Sequence, residues 1–246
     1  MSDSIGIGVI GVGRAGMIHA RNLASGVRGA RLMAIADPVP EALARAAAEL
    51  GDTAAIRCHG NVREAILDPR VQAVVIATPT AFHRELAVAA AGAGKHVFCE
   101  KPMAMDAAEC RAMIAAAEAA GVRLQIGFMR RFDRGFVHAM ERVARGEIGR
   151  VVQVKSLTHG PSTPKPWMYD LRKSNGPLAE VNSHDIDTLR WFTGSEFQTV
   201  FALGANYRCP DARAAFPDFY DNVLLSAAFA NGMQGMIGGA QGVKYG

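Results

Sequence analysis

The sequence predicts an α/β chain in two parts: a doubly wound parallel sheet, then an α+β part with an open antiparallel sheet. Three observations carry this. From Ile5 to about Phe98, short β-branched runs alternate with alanine-rich helical stretches, as strands joined by crossover helices do. A glycine-rich turn, Gly11-Val12-Gly13-Arg14-Ala15-Gly16, follows the first run and opens a helix. After Gly127 strand-like segments come to follow one another without helices between them, the habit of antiparallel strands. At 246 residues, 50% hydrophobic and 20% charged, the composition excludes disorder, collagen and coiled coil. The length suits two cores better than one.

Taken in order, Ile5 to Ile10, Arg31 to Ala36, Val71 to Ala77 and His96 to Cys99 read as buried strands, because they are short, apolar and unalternating. Met17, Ala20 and Ala24 fall at i, i+3 and i+7, the stripe that a crossover helix lays on its sheet. Asp106 and Glu109 stand at capping-box spacing at the head of a helix to about Ala120, which should bury Cys110, Met113, Ile114 and Ala117. Leu124 to Gly127 reads as one more strand. Beyond it, Phe136, Met140 and Val143 mark a helix ending near Gly146, and Val151 to Thr158 alternates as a strand. A loop rich in Pro, Ser, Thr and Lys spans Gly160 to Pro166. A helix opens near Pro177, a residue suited to a first helical turn, and runs to about Thr193. Phe197 to Tyr207, Asp221 to Ala230 and Gly232 to Ala240 complete the antiparallel sheet. The expected domains are 1–126 and 127–246.

The glycine turn has the context that a dinucleotide site requires. Gly11 permits the tight turn, Gly13 lets a pyrophosphate approach the backbone, and Gly16 allows helix and strand to pack. Val12, Arg14 and Ala15 complete the loop, whose helix N-terminus offers amide donors and partial positive charge. Asp37 closes the next strand 21 residues after Gly16, where a carboxylate accepts hydrogen bonds from a free ribose 2′-hydroxyl and repels a 2′-phosphate. NAD is favoured over NADP; Pro38 and Val39 offer the phosphate no partner, and Arg14 and Arg45 are the local basic residues. Asp37 also suits a helix cap before Pro40. Thr78, Pro79 and His83 follow the strand ending at Ala77, at the carboxyl edge where open α/β sheets bind ligands. His83 serves equally as a local cap or packing residue.

Glu100-Lys101-Pro102 ends the next strand. Proline holds Lys101 extended and admits a cis bond. A lysine in a partly dry site beside a bound cofactor can hydrogen-bond a substrate hydroxyl and help it lose its proton; without such neighbours it reads as a surface lysine. Glu180 and His184 lie four apart, on one helical face, so that the carboxylate can orient the imidazole. On an amphipathic helix alone, such a histidine is more often structural.

With these residues in view, the chain resembles the glucose-fructose oxidoreductase / inositol dehydrogenase (Gfo/Idh/MocA) family. The likeness runs through GVGRAG, ATPT (77–80), EKP (100–102), GFMRRFD (127–133) and HDID (184–187), in an order and spacing that together are specific. It implies a Rossmann domain followed by an α+β domain with an open antiparallel sheet, and NAD(P)-dependent redox chemistry at a carbon of a sugar or cyclic polyol. It also implies pairing of copies through the open sheet. The family's EKP lysine and HDxD histidine act on the hydroxyl being oxidised; Lys101 and His184 take those places, with Glu180 steadying the histidine and the nicotinamide near Glu100 and Lys101. Arg130 and Asn182 are the expected substrate hydroxyl contacts, with surface charge and local backbone binding as their plain alternatives. Trp167 and Tyr169 either wall a sugar site, pack, or belong to an interface. Glu180 stands where inositol dehydrogenases carry Asp, and Gly176-Pro177 where they carry Gly-Gly. The chain also stops at Lys244-Tyr245-Gly246, in what reads as a strand end, and so is expected to be a fragment or a truncated product.

The net charge of +4 is local: residues 121–160 hold eight Lys/Arg against three Asp/Glu. With Glu141 and Glu147 interleaved among the arginines and no nucleic-acid motif, this reads as a solvated helix face. Cys58, Cys99, Cys110 and Cys209 form no CxxC pair, so reduced thiols in a cytoplasmic enzyme, with no metal site, are expected. Met1-Ser-Asp-Ser lacks the basic region of a signal peptide, and the apolar run after it is too short for an anchor. Two other functions compete: an NAD-binding sensor or non-catalytic partner, and a sugar hydrolase or lyase that uses NAD transiently.

Overall fold

The computed structural model describes residues 4–51 and 55–244. The expectations placed on Met1 to Asp3 and on Tyr245-Gly246 lie outside them. The chain forms two compact units, one up to Gly127 and one from Phe128.

The first unit alternates strands and helices: β1 (Ile5–Ile10), α1 (Arg14–Ala24), β2 (Ala30–Ala36), α2 (Pro40–Leu50), β3 (Arg57–His59), α3 (Val62–Leu67), β4 (Ala73–Ile76), α4 (His83–Gly92), β5 (His96–Cys99), α5 (Ala107–Ala119) and β6 (Leu124–Ile126). The strands make one parallel sheet in the order β3-β2-β1-β4-β5-β6. The order reverses between β1 and β4, the switch point at which such sheets bind ligands. Alternate residues of each strand feed opposite faces: Ile10, Ala34, Ala36, Val74 and Ile76 pack with α3, α4 and α5, and Val9, Ile35 and Val75 with α1 and α2.

Two helix stripes differ from expectation. Ala24 is exposed, and Leu23 takes its place beside Met17 and Ala20. On α5, Met113 and Ala117 are buried and Cys110 half-buried, but Ile114 is 43% exposed. Each displaced residue lies at the margin of its stripe, where one helical step of about 100° decides burial. The head of α5 is capped by Asp106, whose carboxylate accepts from the Glu109 amide (2.8 Å) while the Glu109 carboxylate accepts from the Met105 amide (3.1 Å).

The second unit holds α6 (Arg134–Ala144), β7 (Gln153–Gly160), α7 (Leu171–Ser174), α8 (Gly176–Glu180), α9 (Ser183–Thr193), β8 (Phe197–Ala205), β9 (Asn222–Phe229) and β10 (Gln234–Gln241). Its four-stranded sheet runs β7-β10-β9-β8. The sheet is mixed rather than antiparallel throughout: β8, β9 and β10 form an antiparallel meander, and β7 joins β10 in parallel. The chain between β7 and β8 carries three helices, long enough for β7 to take a parallel neighbour. Leu189 of α9 packs with Leu225, Phe229 and Ile237.

The helix expected from Pro177 to Thr193 is in fact two. The Val181 and Asn182 amides both donate to the Pro177 carbonyl (2.8 and 3.3 Å), and the Asn182 carbonyl restarts the ladder by accepting from Asp185 and Ile186 (both 2.9 Å). Glu180 therefore ends α8 while His184 is the second residue of α9, and the expected single face carrying both is absent.

Candidate active site

The turn after β1 is built for a ligand that approaches its backbone. Gly11 has φ +84°, a conformation that costs other residues a steric penalty. A Cβ on Gly16 would collide with the Gly11 carbonyl oxygen, which brings α1 hard against the turn. At Gly13 the reverse holds: a Cβ would meet nothing within 4 Å, so the space over this residue is open. The N-terminus of α1 has no side-chain cap and no acidic residue in its first turn, leaving amide donors and partial positive charge for an anion. These features fit a dinucleotide pyrophosphate, with Val12, Gly13, Arg14 and Ala15 around it.

Asp37 is tied to the same turn. Its Oδ2 accepts from the Val12 amide and its Oδ1 from the Val39 amide, both at 2.9 Å. It does not cap α2, whose N-cap position is Val39. Each carboxylate oxygen keeps acceptor capacity, so the anchor and a ribose contact are compatible.

On the other side of the switch point, the Thr78 hydroxyl oxygen is buried with no protein partner, a polar group that a bound ligand would satisfy. Pro79 leads into a short 3-10 turn, Thr80–Phe82. His83 is buried, its ring nitrogens 2.8 Å from the Pro102 carbonyl and 2.9 Å from the Thr78 carbonyl. It joins the two loops. Lys101 is partly buried and its bond to Pro102 is cis.

Glu100 is held by two hydrogen bonds in a space that a glycine leaves open. His19 Nε2 donates to its Oε1 (2.7 Å), the Lys101 amide donates to its Oε2 (3.2 Å), and Gly127 leaves the room it needs. Burial would push the Glu100 carboxyl up, but the His19 and Lys101 interactions outweigh burial and hold it below its ordinary value. His19 was not among the expected site residues. Its signal was its place one turn after Gly16 on α1, on the side facing the strand ends.

In the second unit, the Phe128 ring meets His184 edge-on at 6.4 Å. Arg130 and Asn182 point inward. Arg130 Nη1 donates to Asp185 Oδ1 (2.8 Å), Ser156 Oγ (3.2 Å) and Thr188 Oγ1 (3.2 Å), and its Nη2 to Thr158 Oγ1 (3.0 Å). Asn182 Nδ2 donates to Asp185 Oδ2 (2.8 Å). Trp167, on a 3-10 turn, is 45% exposed, whereas Tyr169 is buried against Phe216 and Phe219. Arg131 makes a two-pronged ion pair with Asp187. Among the described residues no three His, Cys, Asp or Glu are grouped to hold a metal, and no helix is long and apolar enough to cross a membrane.

A glycine turn of this kind at the switch point of a parallel sheet, followed by an α+β unit, defines a two-part dinucleotide-binding protein. Residues 5–128 match the family model "Oxidoreductase family, NAD-binding Rossmann fold" and residues 136–246 the GFO/IDH/MocA C-terminal domain. The chain belongs to this Gfo/Idh/MocA family, and it is an NAD-dependent oxidoreductase. Among its relatives, myo-inositol 2-dehydrogenase of Thermotoga maritima is 37% identical over 98% of this chain and 70% of its own length. The scyllo-inositol 2-dehydrogenase (NAD(+)) of Bacillus subtilis is 32% identical over 100% of the chain and 70% of its own. Of solved structures, scyllo-inositol dehydrogenase from Lactobacillus casei with bound NAD(H) and scyllo-inositol superposes with a TM-score of 0.86 at 31% identity, covering 99% of this chain and 71% of that one.

Proposed function

We propose that this protein oxidises a secondary alcohol of an inositol or a closely related cyclic polyol, with NAD as acceptor. The observation that carries the cofactor half is the open space over Gly13 beside an Asp37 carboxylate anchored to the turn; the substrate half is supported by relatives named for inositols. When bound, the nicotinamide supplies the acceptor for hydride leaving the carbinol carbon. Asp37 accepts the ribose hydroxyl, and the turn from Gly11 to Gly16, with Thr78 and Pro79, seats the rest of the cofactor. His184 takes the hydroxyl proton, and the Lys101 ammonium steadies the developing alkoxide. Glu100 accepts from the Lys101 amide and so sets the backbone that carries this lysine.

We further propose that copies of the chain pair through the second unit's sheet. In register across the four strands lie Leu203, Leu224, Gly238 and Leu157, and the three leucines are each more than half exposed, an apolar row of the kind that a partner covers. A cytoplasmic setting is supported by four free cysteines.

The test is reduced-cofactor absorbance with a panel of inositols, aldoses and sugar phosphates, run with NAD and with NADP. Stoichiometric NADH with an inositol, and a drop of about a hundredfold or more in kcat for Lys101→Ala and for His184→Ala, is the expected result. Unchanged turnover in either variant overturns the catalytic role of the residue replaced.

A further inference from the structure

A buried polar cluster surrounds the start of α9, and the reaction as proposed makes no use of it. Asp185, next in sequence to His184, is fully buried. Its Oδ1 accepts from Arg130, Ser156 and Thr158, and its Oδ2 from Asn182. Burial would push this carboxyl up, yet these hydrogen bonds hold it below its ordinary value, so it stays ionised opposite the guanidinium. Asn182 is itself buried, and it sits in a notch of β10: a Cβ on Gly239 would collide with its amide group. Thr188 closes the cluster, donating to the His184 carbonyl (2.7 Å) while accepting from Arg130.

The cluster is arranged around one point. Asn182 lies two residues before His184, Asp185 one after, and Thr188 holds the His184 carbonyl. Together they grip the backbone on both sides of His184 at the place where α8 ends and α9 begins. A buried ion pair is in itself weak evidence for stability. It does specify geometry here, because the planar Arg130 guanidinium must meet Asp185, Ser156, Thr158 and Thr188 at once from two of its nitrogens, which few orientations allow.

We propose that Arg130, Asp185 and Asn182 are positioning residues for His184: they fix the break between α8 and α9 and thereby the aim of the imidazole. This rests on the reading of His184 as the proton acceptor. It replaces the expectation that Arg130 and Asn182 bind substrate hydroxyls, and the two differ in what they predict. Removing a side chain that binds substrate raises KM, whereas displacing the base lowers kcat; a displacement of about 1 Å costs on the order of a hundredfold.

The experiment uses the full chain with Asp185→Asn, Asn182→Ala, Arg130→Met and Arg130→Lys. Gly239→Ala is added because it pushes on Asn182 while leaving every charge in place. Two readouts are taken: kcat and KM for the polyol, and the imidazole nitrogen resonances of His184, assigned by their loss in His184→Ala. The expected result is a fall in kcat of about tenfold to a hundredfold with polyol KM within about threefold, partial recovery in Arg130→Lys over Arg130→Met, and displaced His184 resonances, Gly239→Ala included. A raised polyol KM at unchanged kcat, or His184 resonances that stay in place in folded variants, overturns the proposal. If the resonances move while His184→Ala keeps full turnover, the positioning stands and the role of His184 as base falls.

Discussion

Gly13 and Gly16 stand three residues apart in one turn, and their missing side chains serve different ends. At Gly16 an added carbon runs into the Gly11 carbonyl oxygen, and at Gly13 it meets only open space. Substitution at the two positions should therefore separate folding from binding. Gly13→Val should leave the thermal midpoint within about 2 °C, since a surface change away from packed groups costs within about 0.5 kcal/mol. It should also weaken NAD at least about tenfold, because the branched side chain fills the room a pyrophosphate needs. Gly16→Val should lower the midpoint or prevent folding. Thermal melts alongside NAD titration by calorimetry check both, and equal NAD affinity for Gly13→Val and the parent would remove the turn from the cofactor site.

The pairing of His19 with Glu100 belongs to the scale of elements, for it ties α1 to the end of β5 across 81 residues of sequence. Its pH dependence follows from the direction of the Glu100 shift. The folded carboxyl ionises below its ordinary value of 4.5. Its contribution to stability is thus fully present above that value and is lost as pH falls through the folded pKa. In His19→Phe the donor is gone while burial remains, so the Glu100 carboxyl should move upward. The acid limb of unfolding, followed by circular dichroism, should then shift to higher pH than in the parent. Coincident acid limbs would show that the pair adds nothing to the fold. The break between α8 and α9 belongs to this scale too, since it turns an expected helix face into two ends joined through the Pro177 carbonyl.

For the molecule as a whole, the leucine row across the second unit's sheet is the feature with the largest consequence. Leu203, Leu224 and Leu157 lie on strands that pair in sequence across the sheet. Gly238 stands between the last two, where a Cβ would crowd Leu157 at 2.7 Å. An apolar row this exposed is a liability unless covered. Light scattering should give a mass of at least two copies for the parent and of one copy for Leu224→Asp, because a charge buried in an apolar interface without a partner is strongly disfavoured. A parent that remains a single copy at high concentration would end the proposal of self-association.

Much of the first unit was legible from residue order alone. Strand, glycine turn, helix and Asp37 lie within one βαβ stretch, where each part is identified by its neighbours: a short apolar run, glycines at set spacing, an acid closing the next strand. Such features depend on local sterics and on burial on both faces of a sheet, and both leave periodic marks in sequence. The short β3 and α3 were missed because three and six residues are too few to show a period. Tertiary structure alone decided the rest. It set β7 parallel to β10, broke the helix before His184, turned Arg130 and Asn182 inward, and brought His19 to Glu100. The Arg130 and His19 contacts join side chains 55 and 81 residues apart, Asn182 is seated against Gly239 of β10, and the sheet order rests on which strand lies beside which. No periodicity records such a pairing, since its energy comes from groups that meet only once the chain has folded.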